Sequence, residues 1–163
     1  YKGVEYLIKA IENLDVILNI VGNGEELGNL KSLVESINAV DKVKFVFDAD
    51  DKELIYLYKK CDLFILPSIN EAEAFGVVQL EALANALPVI NTNLKSGVPF
   101  VSLNGYSGIT VEPTKSNELK AAIEKMINNK ELYELYSFNA LERVKVFSRE
   151  KLAEDYMKIY QKL

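Results

Sequence analysis

Glu73, the pair Phe75-Gly76 and Glu81 follow one another in a short stretch that leaves an apolar strand and enters an apolar run. A glycine at the mouth of a helix lets an anion approach the backbone without a Cβ in the way. The unpaired N–H groups of a first helical turn, with the helix dipole, then offer it a site. Glu81 lies about 7–8 Å further along the axis at 1.5 Å per residue. Its side chain leans back toward the helix N-terminus. A carboxylate accepts hydrogen bonds from two neighbouring hydroxyls at once. One carboxylate on each side of a phosphate site therefore suits a nucleotide-sugar, with sugar hydroxyls on one side of the diphosphate and ribose hydroxyls on the other. Val77, Leu80, Ala82, Leu83 and Ala84 make the helix apolar on nearly every face, which predicts that it is buried. Glu81 would then be a buried carboxylate, costly unless something polar meets it, and a ligand is the interesting candidate.

The elements that position these residues alternate along the chain, which predicts a parallel α/β construction. Apolar spacing predicts helices over 4–13, 25–37, 52–60, 117–128, 130–146 and 149–162, besides the one opened by Gly76. Short apolar runs predict strands over 16–21, 43–47, 63–66, 88–91 and 109–111, with a long loop holding Ser96-Gly97-Val98-Pro99 between the last two. Gly22-x-Gly24 reads as a structural turn into the second helix rather than a phosphate loop. A doubly wound sheet keeps its first strand in the middle. If that strand precedes Tyr1, the sheet expected here lacks a central element.

The 163 residues are 49% apolar and 26% charged, enough for one domain with a substantial core. A net charge of −5 argues against a nucleic-acid partner. The chain holds no histidine, which removes His-based acid–base schemes, Ser-His-Asp triads and His-ligated metals. A single cysteine leaves no internal disulfide and no thiolate zinc site, and Cys61 reads as a small core residue in a reducing compartment. Asp48-Ala49-Asp50 spells the metal-holding D-x-D of the GT-A glycosyltransferase fold. Asp50 reads better as a helix cap, with Glu53 three residues on. Tyr156 and Tyr160 read as packing residues of the last helix, and no metal site is expected.

Glu73-x7-Glu81 with its inner Phe75-Gly76, followed by Glu81-Ala82-Leu83-Ala84 and Pro88-Val89-Ile90, resembles the C-terminal, donor-binding half of retaining GT-B glycosyltransferases. Glycosyltransferase family 4, the glycosyl transferases group 1, is the nearest pattern. Lys2-Gly3, Val21-Gly22-Asn23-Gly24, the run from Asp62 to Ser68 and Gly108-Ile109-Thr110-Val111 extend the resemblance over most of the chain. It implies a Rossmann-like doubly wound parallel sheet over residues 1–163, with the N-terminal acceptor domain and the first strand outside this sequence. It also implies that Glu73 contacts the donor sugar and that backbone N–H groups around Ala74, Phe75, Gly76 and Val77 hold the diphosphate. Glu81 would hold the ribose, and Lys2 would offset the charge of the departing diphosphate. Ala49 and Asp51 would border the base. Ala74, Ala86 and Asp48 stand where the family usually has glycine.

The implied activity is a metal-independent hexosyl transfer from a UDP- or GDP-hexose to a glycan or lipid-linked acceptor, with no cofactor beyond the donor. The reaction is front-face substitution: the leaving diphosphate helps take the acceptor's proton and no side chain acts as covalent nucleophile. The fragment alone is expected to be inactive. The implied setting is polysaccharide, lipopolysaccharide or capsule biosynthesis in the cytoplasm, with peripheral contact at the inner face of the membrane. A UDP-sugar epimerase of similar fold and a non-catalytic nucleotide-binding module are the alternatives, separable by product analysis and by nucleotide titration.

Overall fold

The computed structural model describes residues 1–161, so the predicted helix end at Lys162 lies outside the described residues. Five parallel strands carry the fold: β1 (Leu18–Val21), β2 (Val43–Val46), β3 (Phe64–Leu66), β4 (Val89–Thr92) and β5 (Gly108–Val111). The helices between and after them are α1 (Val4–Ala10), α2 (Leu27–Ser36), α3 (Asp51–Lys60), α4 (Val78–Ala84), α5 (Val98–Val101), α6 (Ser116–Ile127), α7 (Lys130–Lys145) and α8 (Arg149–Tyr160). β1 pairs β2, with Leu18 opposite Val43, while β3, β4 and β5 form a second ladder in that order. The sheet is thus divided. The facing edges of β1 and β3 border a groove of about 2210 Å³ whose walls include Leu18, Ile20, Leu63 and Ile65.

β4 shows why the architecture is doubly wound. Successive residues of a strand point to opposite faces. Val89 packs into a cluster with Leu83, Leu87, Val101 and Ala140, and Ile90 into another with Ile8, Ile11, Leu119 and Met126. All four β4 residues are buried, as a strand covered on both faces must be. Gly108 lets β5 come alongside, because a Cβ there would stand 1.8 Å from the Val89 carbonyl oxygen.

Four expectations need correction. Val98–Val101 is a short helix rather than loop; Pro99 sits in its first turn, where a missing N–H costs nothing. α1 ends at Ala10, three residues before the predicted Asn13, and residues 11–13 continue it only as turn. α8 buries none of its residues, so Tyr156 and Tyr160 do not pack; they are 54% and 66% exposed. Cys61 is half-buried rather than a core residue, and its thiol accepts from Asn19 Nδ2 at 3.8 Å. Burial, with the Asp62 charge, pushes the thiol above its ordinary range despite that bond.

Candidate functional site

The site is a loop, not the end of a long helix. Leaving β3, the chain turns through Asn70, whose carbonyl accepts from Glu73 N and whose Oδ1 accepts from Ala72 N. Thr92 Oγ1 on β4 donates to the Ser68 carbonyl at 2.6 Å and ties the loop to the sheet. α4 starts only at Val78 and has seven residues. Gly76, which was expected to open it, lies before it at φ 71. That backbone is left-handed, which glycine tolerates and other residues avoid. A Cβ on Gly76 would also stand 2.6 Å from Leu66 Cδ2 and 2.8 Å from Gln79 Nε2. The glycine is required by packing behind the loop as much as by any approach from in front.

Lys2, Ser68 and Glu73 come together across this loop. Glu73 is buried at 9% exposure, and its Oε2 accepts from Lys2 Nζ at 2.5 Å and from Ser68 Oγ at 3.2 Å. Burial by itself lowers the Lys2 pKa, but the bond to Glu73 and its charge, helped by Tyr1, outweigh that and hold the ammonium above its ordinary range. Lys2 reaches this position because the Tyr1 carbonyl accepts from Ile69 N and because Gly3 lies against Pro67. A Cβ on Gly3 would stand 2.1 Å from the Pro67 carbonyl oxygen, and Gly3 sits at φ 66. Among the described residues, no acceptor takes the N–H groups of Phe75, Gly76 or Val77. Backbone N–H groups are strong donors, so an anion reaching the loop would find three of them without a protein acceptor.

Glu81 is where the sequence reading fails. It lies on the exposed side of α4 rather than in the core, so burial does not demand a ligand for it. Its partner is a hydroxyl, not a cation: Tyr58 OH on α3 donates to Oε2 at 2.9 Å. Burial, then the bond to Glu81, pushes the Tyr58 phenol well above its ordinary range. The helix that carries Glu81 buries Ala82 and Leu83 but leaves Val77, just before it, 59% exposed. Ala49 and Asp51 stand at the start of the same α3 that supplies Tyr58, with Ala49 half-buried and Asp51 exposed. Asp50 caps that helix, its Oδ1 accepting from Glu53 N at 2.8 Å. Asp48 and Ala86, two of the positions expected to be glycine, both have left-handed backbone, at φ 53 and φ 60.

Gln79 on α4 and Asn91 on β4 are buried polar residues, at 0% and 1% exposure. Asn91 Nδ2 donates to Gln79 Oε1 at 2.9 Å and lies within bonding distance of the Val98 and Ser102 carbonyls. Thr110 Oγ1 donates to Asn91 Oδ1 at 2.7 Å. Sequence reasoning passed over both, although each interrupts an otherwise apolar run, at Val77-Val78-Gln79-Leu80 and Val89-Ile90-Asn91. Arg143 was missed as well. Its guanidinium carbon lies 5.0 Å from the centre of the Phe100 ring and 4.8 Å from that of Phe147, and the Phe147 ring meets Phe75 edge-on at 6.0 Å.

A family model described as "Glycosyl transferases group 1" matches residues 1–143. An uncharacterised glycosyltransferase of Methanocaldococcus jannaschii is 32% identical over 162 residues, which cover 99% of this chain and 45% of that protein. The O-antigen chain mannosyltransferase C of Escherichia coli is 27% identical over 164 residues, covering 100% of this chain and 44% of its own. Sucrose-phosphate synthase from Thermosynechococcus elongatus superposes with a TM-score of 0.85 at 28% identity, over 99% of this chain and 42% of that one. The chain spans a little under half the length of the curated relatives it matches.

Proposed function

The chain belongs to the glycosyl transferases group 1 and has the fold of a GT-B C-terminal domain, and on that premise we propose that it is the donor-binding half of a retaining enzyme of glycosyltransferase family 4. The observation that carries this reading is the Lys2–Glu73 pair, 2.5 Å apart, beside a loop whose N–H groups at Phe75, Gly76 and Val77 have no acceptor among the described residues. A nucleoside diphosphate-sugar has the complementary groups. Its diphosphate accepts from the three loop N–H groups and from Lys2. Its sugar hydroxyls donate to Glu73, which Ser68 holds in place.

Glu81 accepts from the ribose hydroxyls at the exposed face of α4, and Ala49 and Asp51 border the base. The donor is a UDP- or GDP-hexose. Glu73 is engaged by hydroxyls and so does not attack the sugar carbon. The sugar passes to the acceptor on the face from which the diphosphate leaves, and the departing oxygen takes the acceptor's proton. Lys2 and the loop N–H groups stabilise the charge that develops on the diphosphate, a contribution often the largest in enzyme catalysis. Neither step needs a metal. The acceptor, a glycan or lipid-linked sugar of surface-polysaccharide assembly, binds to a half of the enzyme outside this chain, on the cytoplasmic side of a membrane it touches peripherally. No helix among the described residues is long and apolar enough to cross a membrane.

Titration of this chain with UDP and GDP by calorimetry is the test. We expect saturable binding of one of the two, weakened at least tenfold by Glu81→Ala. Absence of heat with both nucleotides would end the donor-binding reading, and unchanged affinity in Glu81→Ala would end the ribose assignment alone.

A further inference from the structure

Gln79 and Asn91 touch neither Lys2, Glu73 nor Glu81, yet they bond the segments that set the direction of the loop's N–H groups. We infer that Gln79, oriented by Asn91, is a positioning residue for the anion-holding loop, an inference that rests on the donor-binding reading above. Gln79 Nε2 lies 3.2 Å from the Val98 carbonyl and, at a longer 3.4 Å, from the Phe75 carbonyl. Asn91 Nδ2 reaches the same Val98 carbonyl at 3.1 Å. Two amides thus grip the backbone just after Gly97, and Gly97 N donates to the Ala74 carbonyl at 2.7 Å. No peptide bond here is cis, so each carbonyl is antiparallel to the N–H that follows it. Holding the Ala74 carbonyl toward Gly97 turns the Phe75 N–H to the opposite side. Holding the Phe75 carbonyl toward Gln79 turns the Gly76 N–H away from the buried amides in the same manner.

The Gly97 backbone and the Phe75 loop also lie in close contact. A Cβ on Gly97 would stand 2.6 Å from the Phe75 ring and 3.0 Å from the Ala74 oxygen. Among the described residues no buried side-chain polar atom lacks a partner, so the Gln79–Asn91 amides are fully engaged before any ligand arrives. Donors fixed in advance lose little freedom when the ligand binds, and that is where positioning adds affinity.

The role predicts a selective loss, which a general weakening of the fold does not produce. Whichever of UDP and GDP binds is titrated into the wild-type chain and into Gln79→Met, alongside the matching nucleoside, uridine or guanosine. Gln79→Met keeps side-chain length and removes the amide. The diphosphate part depends on the loop N–H groups and the nucleoside part does not. We expect the nucleotide affinity to fall roughly tenfold or more, in the range of losing one or two buried hydrogen bonds, and the nucleoside affinity to stay within about twofold. Equal losses for both, or no loss for either, overturn the positioning role while the donor-binding reading stands. Failure of the wild type to bind either nucleotide instead overturns the reading itself. Circular dichroism checks that Gln79→Met is folded; if it is not, Asn91→Ser, which cuts the bond to Gln79 Oε1, is read by the same ratio.

Discussion

Glu73 and Glu81 have the same chemistry and opposite surroundings. Glu73 is buried with two donors, one of them cationic, while Glu81 is exposed with a single phenol. Their partners carry a consequence for pH. Lys2 and Tyr58 both hold their protons more tightly in the folded chain, Lys2 through Glu73 against the pull of burial, Tyr58 through burial and then Glu81. The unfolded chain gives up these protons first, from about pH 10. Folding stability contributed by the two groups is therefore complete below that pH and declines as pH rises through it. We expect the urea midpoint to fall between pH 9 and pH 11, and Tyr58→Phe to make the fall shallower. An identical slope in the variant would show that the Tyr58–Glu81 bond contributes nothing to stability.

Among the elements, α4 has the most instructive ends. Its start is delayed to Val78 because Gly76 is left-handed, and beyond its end Ala86 takes φ 60. A left-handed alanine costs about 1–2 kcal/mol, a strain that glycine escapes, although glycine loses more conformational freedom on folding. Ala86→Gly is expected to raise stability by about 0.5–1 kcal/mol, or roughly 1–4 °C in Tm for a chain of this size. A lower Tm on thermal unfolding would mean that the Ala86 methyl packs better than its backbone strain suggests. The turn is held from outside as well, because Ser137 Oγ on α7 donates to the Ala86 carbonyl at 2.7 Å. The resemblance pointed to a glycine at this position; the backbone angle supplies the reason one is favoured.

At the scale of the molecule, burial falls off from β4 outward. β4 is buried along its whole length between two clusters, whereas α8 buries no residue. Hydrogen exchange is expected to be slowest at the amides of Val89–Thr92 and fast throughout Arg149–Tyr160, since local opening follows burial. Protection of α8 comparable to that of β4 would require a packing surface for Leu152 and Tyr156 that their exposure contradicts. The alternation of strands and helices, the strand-loop-helix around Phe75-Gly76 and the Asp50 cap were legible in the order of residues, because each depends on neighbours a few positions away. Periodicity, glycine and capping chemistry act at that range. The Lys2–Glu73 pair joins residues 71 positions apart and the Gln79–Asn91 bond joins strand to helix. The exposure of Glu81 belongs to the same class. Such features depend on which faces the packed layers present to one another, and a linear pattern of apolar residues around a helix does not say which side meets water.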